Sequence, residues 1–330
     1  PELVLSQVLS KGRGIGYKKD GEIKINPRQP PLESLDILPM PAWHLFDIEK
    51  YQMPRLITRR NPVGTIETSR GCLAGCSYCN KSIFGRKWRC KSAKRTVDEF
   101  EYMLKCGFKE IHVYDDMFTT DLDRAKEICD LIIERKLDLS WRLDCGLRID
   151  SVDKEFFEKL KKSGCYCIGF GLESGSQKIL DDIDKGAKPE TAKYAVRWAK
   201  EAGLETVGFF MFGLPKETIE TMEESIKYAC SLDLDYAKVT LATPYPGTKF
   251  FLQMQKNGKI HSKDWSAYNF HSPSKVWNHP NLDWETLDKY YKKFYTKFYF
   301  RPTYLYKRFI RGVKRGDLFY DLYYAVKTFL

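Results

Sequence analysis

No stretch of this 330-residue chain is apolar for long enough to cross a membrane. The longest run, VGFFMFGL at 207–214, falls far short of the ~20 residues that a spanning helix needs. No charged, apolar, small-residue leader opens the sequence. Histidine is scarce, at 5 residues, and none lies near the densest group of cysteines, which argues against a catalytic zinc of the histidine-bound kind. The 10 cysteines are too few, and outside one cluster too irregularly spaced, for a secreted disulfide framework. These absences lead us to expect a reduced, cytoplasmic protein whose contact with a membrane, where there is one, is peripheral. The first residue is Pro1 rather than methionine, so we expect a fragment or a processed form.

What is present excludes disorder, since 43% of the residues are apolar and 14% aromatic, enough for a substantial core. The net charge of +11 is uneven: residues 289–330 hold eleven Lys or Arg against Asp317 and Asp321. Fifteen of those 42 residues are Tyr or Phe. Basic and aromatic residues interleaved on amphipathic helices suit an anionic membrane surface. The same pattern also suits aromatics packed on the rest of the protein with their charges in water.

Three regions follow. Residues 1–60 read as a linker, with a hairpin signal at Asp20-Gly21 and Pro27, Pro30, Pro31, Pro39 and Pro41 excluding helix. Residues 61–258 alternate short β-rich runs (Val63–Glu67, Glu110–Tyr114, Leu139–Leu143, Tyr166–Gly171, Thr206–Phe212, Tyr236–Leu241) with amphipathic helical stretches. Six such units predict an α/β fold, an open six-unit (β/α)6 partial barrel with a parallel sheet and right-handed crossovers. Its chemistry belongs at the carboxyl ends of the strands. Residues 259–330 read as a helical, basic and aromatic extension, with one apolar face at Trp284, Leu287, Tyr291, Phe294 and Phe298 and another at Phe319, Leu322, Tyr323 and Val326.

Directly after the first core strand comes GCLAGCSYCN, with Cys72, Cys76 and Cys79 separated by three and then two residues. A structural zinc needs four ligands, which Cys90 could complete. A 4Fe–4S cube has four irons that take thiolate ligands, so three cysteines leave one iron open beside a pocket, where a chelating small molecule can bind.

This spacing, with Tyr78 before the last cysteine, resembles the radical S-adenosylmethionine (radical SAM) superfamily. The resemblance implies a barrel of the radical SAM type and two cofactors, a 4Fe–4S cluster on Cys72, Cys76 and Cys79 and S-adenosylmethionine on the open iron. One electron, supplied by a donor of the flavodoxin or ferredoxin type, then cleaves the sulfonium to methionine and a 5′-deoxyadenosyl radical that abstracts hydrogen from carbon. Tyr78 would lie against the cofactor. VYDDMF (113–118) offers Asp115 and Asp116 to the methionine amino group, although either carboxylate could instead cap the next helix. WRLDCGLRID offers Arg142 and Arg148 to the carboxylate or ribose, or to surface ion pairs. Glu173, in an ESG segment, would be a costly buried charge without a cationic or hydroxyl partner, and the cofactor has both. Lys185 matches a Lys-Gly pair but has no assigned role. GLPKET would set the backbone at Gly213 and Pro215 against the adenine, and TPYPGT (243–248) matches a further turn.

With ESLDILPMPAWHLFD ahead of the core, the combination most resembles the cobalamin-associated branch. Its members methylate unreactive carbon or phosphorus, cyclise, or couple lipids, which implies a small-molecule or lipid-like substrate. No Asp-x-His-x-x-Gly segment is present, so cobalamin would come through a domain absent from this chain. A methylthiotransferase acting on transfer RNA would want a second cysteine trio and a carboxyl-terminal β-barrel, and neither is visible. Nucleic acid is therefore the weaker partner, and a non-catalytic cluster-binding module is the alternative that is not an enzyme.

Overall fold

The computed structural model describes residues 15–320, apart from 28–29, 56, 270–272 and 317. Of the second expected apolar stripe, Leu322, Tyr323 and Val326 lie outside the described residues; Phe319 is exposed.

The Asp20-Gly21 signal forms a hairpin, β1 (Gly16–Lys19) pairing antiparallel with β2 (Glu22–Ile25). Both turn residues have positive φ, 51° and 84°, as a two-residue hairpin of the twist-matching type requires. The core then alternates as expected. Its strands are β3 (Val63–Ile66), β6 (Glu110–Val113), β7 (Ser140–Leu147), β8 (Cys165–Glu173), β9 (Glu205–Phe212) and β10 (Tyr236–Leu241). A two-residue ladder, β4 (Ser69–Arg70) with β5 (Arg89–Cys90), lies between the first two. Helices α1 (Ala93–Lys105), α2 (Leu122–Glu134), α3 (Lys154–Lys162), α4 (Gln177–Asp182), α5 (Pro189–Glu201), α6 (Ile219–Ser231) and α7 (Lys249–Lys256) connect the strands. The six strands form one parallel sheet in the order β10-β9-β8-β7-β6-β3, with β3 and β10 at its two edges. This is the open partial barrel.

Side-chain caps start most of the core helices. Ser92, Asp121, Asp153, Thr218 and Thr248 each accept a hydrogen bond from the backbone three residues on, a cap worth ~1 kcal/mol apiece. Trp141, Leu143, Phe170, Phe210 and Phe212 are fully buried against the helices, so the sheet is covered on its outer face and its carboxyl end is left for the loops.

Beyond the barrel, α8 (Trp284–Tyr299) and α9 (Pro302–Arg315) follow, and the two readings of the basic, aromatic extension divide between them. The aromatic face of α8 is core: Leu287, Phe294 and Phe298 are fully buried, and Phe294 packs on Phe210 and Phe212. The Tyr295 and Tyr299 hydroxyls bond the backbone of Val239 and Ala237, covering an edge strand that would otherwise present unpaired groups. In α9, Arg311 turns onto Asp235 and Arg308 onto the Tyr236 hydroxyl, while Lys307 makes a surface pair with Asp233. Its Leu305, Tyr306, Phe309 and Val313 are exposed. No helix among the described residues is long and apolar enough to cross a membrane.

Candidate functional site

The β4–β5 ladder closes the base of a loop, residues 71–88, that carries all three clustered cysteines. Ser69 pairs with Cys90 and Arg70 with Arg89, so Cys90 belongs to the base. Arg124, Asp121, Asp36 and Asp115 act electrostatically on Cys90, whereas Lys81, Cys76 and Cys72 act on Cys79. Cys90 thus sits on the strand at the base and not on the loop that carries the other three. Gly71 turns the chain into the loop at φ +89°, and a Cβ there would sit 1.9 Å from the Lys87 carbonyl oxygen, so only glycine fits. The loop is tied from outside as well. Ser77 N donates to Ile183 O and Phe250 N to Ser77 O. Asn80 donates to Pro246 O within the TPYPGT turn, whose Gly247, at φ +87°, would crowd Asn80 with any side chain.

The two aspartates after β6 do different things. Asp115 is buried, and both its oxygens are taken: Oδ1 by Thr68 N, Oδ2 by the Thr68 and Ser69 hydroxyls, all at 2.6 Å. Burial lifts its carboxyl above the usual range, against the pull of those donors. Arg124 completes the hub through Thr68 O and Lys91 O. Asp115 therefore holds the start of the cysteine loop. Asp116 is exposed, and its Oδ2 accepts from Gly71 N at 2.7 Å.

Arg148 and Arg142 also separate. Arg148 Nη1 donates to Lys185 O at 2.7 Å and its other nitrogens pair with Asp150, with Cys76 and Cys72 among its electrostatic neighbours. Arg142 is a correction. β7 continues to Leu147 rather than ending at Leu143, so Arg142 lies at the strand's amino-terminal end, on Ile57 O and Asp144. That end is closed by Glu110, which accepts from Tyr166, His112 and the backbone of Arg59 and Arg60. Against burial, these bonds hold the Glu110 carboxyl down at about 2.

Glu173 ends β8 at φ +60° and is buried. Its partner in the protein is Lys185, whose Nζ donates to Oε1 at 2.8 Å. The cofactor is not needed to supply a cation, and the Lys-Gly pair acquires a role. Tyr78 leans on the same carboxylate: burial first, then Glu173, raises its phenol well above the ordinary value. A carboxylate twelve residues before a lysine gives no sequence signal of such a pair.

The GLPKET turn has a support that the sequence reading missed. Gly213 N and Leu214 N donate to Glu217 Oε2, and Glu217 is fully buried with Oε1 unpartnered. Burial pushes its carboxyl up to about 8. His279 and Asn281 reach Leu214 O and Pro215 O, pinning the backbone at Gly213 and Pro215.

A cavity of about 410 Å³ opens beside the cysteine loop, lined among others by Cys72, Gly75, Thr119, Arg148, Lys185 and Gly186. Among the described residues no three His, Cys, Asp or Glu converge where one metal ion could sit.

The family model described as the radical SAM superfamily matches residues 66–229. An uncharacterized methyltransferase of Pyrococcus horikoshii is 35% identical over 94% of this chain and 70% of its own length. The cytidylyl-2-hydroxyethylphosphonate methyltransferase of Streptomyces wedmorensis is 30% identical over 85% of this chain, which spans only 59% of that protein. In fold, the chain is similar to the radical S-adenosylmethionine methyltransferase TsrM from Kitasatospora setae, solved with cobalamin and a 4Fe–4S cluster bound. The TM-score is 0.66 at 20% identity, covering 88% of this chain and 66% of that one.

Proposed function

The chain belongs to the radical SAM superfamily, and from that premise we propose that it methylates, or joins carbon to carbon on, a small-molecule or lipid-like substrate. It is an enzyme of radical SAM type, with a 4Fe–4S cluster and S-adenosylmethionine as its cofactors. The observation that carries the site is the placement of Cys72, Cys76 and Cys79 on one loop at the carboxyl end of β3, beside a cavity, with Cys90 on the strand at its base. When bound, the cluster supplies one electron that divides S-adenosylmethionine into methionine and a radical able to take a hydrogen atom from carbon.

The protein's own residues supply position and exclusion of water. We assign the methionine amino group to Asp116, whose Oδ2 already orients on Gly71 N, and leave Asp115 to the fold. Arg148 is assigned the carboxylate end of the cofactor; its fixed fork is suited to such a group, and Lys185 O and Asp150 hold it in place. Glu173, oriented by Lys185 and Tyr78, is assigned the ribose hydroxyls, and the Gly213–Pro215 backbone the adenine. Cobalamin is proposed as a second cofactor, held outside this chain's residues, and a carrier protein as the electron donor. The exposed apolar face of α9 is our assignment for peripheral contact with a membrane.

The test is anaerobic reconstitution with iron and sulfide, reduction by titanium(III) citrate and addition of S-adenosylmethionine. Equal amounts of methionine and 5′-deoxyadenosine are expected. Stoichiometric zinc, with no visible absorption and no 5′-deoxyadenosine, would overturn the reading.

A further inference from the structure

The thirty residues from Thr68 to Val97 contain eight Lys or Arg and no Asp or Glu. Most of those cations are tied down. Arg70 pairs with Glu67, Lys94 with Asp98, and Lys91 and Arg95 with Glu99. Arg89 donates to Leu32 O. Three remain without a carboxylate among the described residues, Lys81, Arg86 and Lys87, and all three lie on the segment that wraps the cysteine loop. Arg86 folds back onto Leu73 O, Lys81 stands beside the Cys79 thiol, and Arg86 and Lys87 are exposed. Two aliphatic side chains of the same loop also face water, Leu73 at 53% and Ile83 at 72% exposure. Cys79 is exposed in the same turn.

Cations without a carboxylate partner, carried with exposed aliphatic groups on one loop, suit a protein with an acidic surface. Like-signed partners are repelled, and complementary ones are steered to a single register. Phosphate backbones would use the cations but leave Leu73 and Ile83 uncovered. We propose that Lys81, Arg86 and Lys87, with Leu73 and Ile83, form the docking surface for an acidic one-electron carrier protein that reduces the cluster. This rests on the radical reading above, in which each cleavage of S-adenosylmethionine consumes one electron. The carrier is oxidised by one electron, the cluster is reduced by one, and no proton or group moves.

The experiment uses the reconstituted protein, an acidic flavodoxin as probe, and the exposed-site variants Lys87→Glu and Ile83→Glu. Binding of the flavodoxin is measured by titration calorimetry at low salt, and 5′-deoxyadenosine formation is driven separately by reduced flavodoxin and by titanium(III) citrate. Affinity is expected to fall about tenfold or more in each variant, and in the parent protein as salt is raised. Flavodoxin-driven product should fall in parallel while titanium-driven product is unchanged. A flavodoxin that does not bind the parent, or binds parent and variants equally, overturns the proposal. Equal loss with both reductants also overturns it, because the residues would then serve the cluster itself. Calorimetry needs no turnover, so if titanium yields no product in the parent, the radical reading fails while docking is still decided.

Discussion

Lys185 Nζ lies 2.8 Å from Glu173 Oε1, with both side chains buried. The pair joins the end of β8 to the 184–186 segment of the cavity wall, and it sets the carboxylate on which Tyr78 leans. Removing one partner from a buried pair strands the other charge, at a cost of about 3–5 kcal/mol, whereas removing both costs much less. Lys185→Met should therefore destabilise strongly in a chemical denaturation, and Glu173→Gln added to it should restore part of the loss. Additive costs would mean that the two side chains do not act as a pair.

The two aspartates give a second contrast. Asp115→Asn turns into a donor one of the two oxygens that accept three short, buried hydrogen bonds, and should lower stability by more than the ~1 kcal/mol of a typical bond, with cluster loss following from a loosened loop. Asp116→Asn should keep the melting temperature and the cluster spectrum, while S-adenosylmethionine affinity drops roughly ten- to a hundredfold. Equilibrium binding and thermal melts on both variants decide it; normal affinity in Asp116→Asn would remove that residue from the site.

Much of this arrangement could be read from the sequence, and what escaped did so for identifiable reasons. The six core strands and the loop after the first are legible because β-rich runs and amphipathic helices alternate, punctuated by Gly107, Gly164 and Gly203. The length of β7 is not legible. Gly146, Gly169 and Gly171 carry no side chain, yet they extend the sheet where backbones approach closely, since a Cβ at Gly146 would lie 3.3 Å from Gly171 N. Ending the strand early put Arg142 at the wrong end of the barrel. Periodicity found the aromatic face of α8 but cannot say what covers it, and β10 with α6 does. Glu217, buried by a turn that its own carboxylate closes, looks from sequence like an ordinary helix-start residue.

Glu217 makes stability depend on pH in a definite direction. Its carboxyl is raised from the ordinary 4.5 to about 8 in the folded protein, so the folded state keeps a proton that the unfolded state releases. Stability should fall as pH rises from about 4.5 to 8, by up to about 1.4 kcal/mol per pH unit from this group. In Glu217→Gln that component disappears, and the difference between the two stability profiles isolates it. Parallel profiles from pH 5 to 8 would show that the carboxyl is not raised.

Truncation separates the two terminal helices. Ending the chain before Trp284 removes Leu287, Phe294 and Phe298 from the core, and losses of ~2–5 kcal/mol for each large side chain should leave no cooperative unfolding transition. Ending it after Phe300 removes α9 and the residues that follow it but leaves α8, so a folded, cluster-bearing protein is expected, with its binding to anionic vesicles reduced. Unfolding of the shorter deletion would make α9 structural, and unchanged vesicle binding would move any membrane contact elsewhere.

The central claim is that three thiolates on one loop hold the cluster and the fourth nearby cysteine does not. Electron paramagnetic resonance of the reduced, reconstituted protein, with iron analysis, tests it in Cys72→Ala, Cys76→Ala, Cys79→Ala and Cys90→Ala. The account predicts about four irons per chain and a reduced-cluster signal that changes on adding S-adenosylmethionine, in the parent and in Cys90→Ala. In each of the other three the signal should be lost. A signal that survives loss of Cys79, or disappears with Cys90, would contradict it.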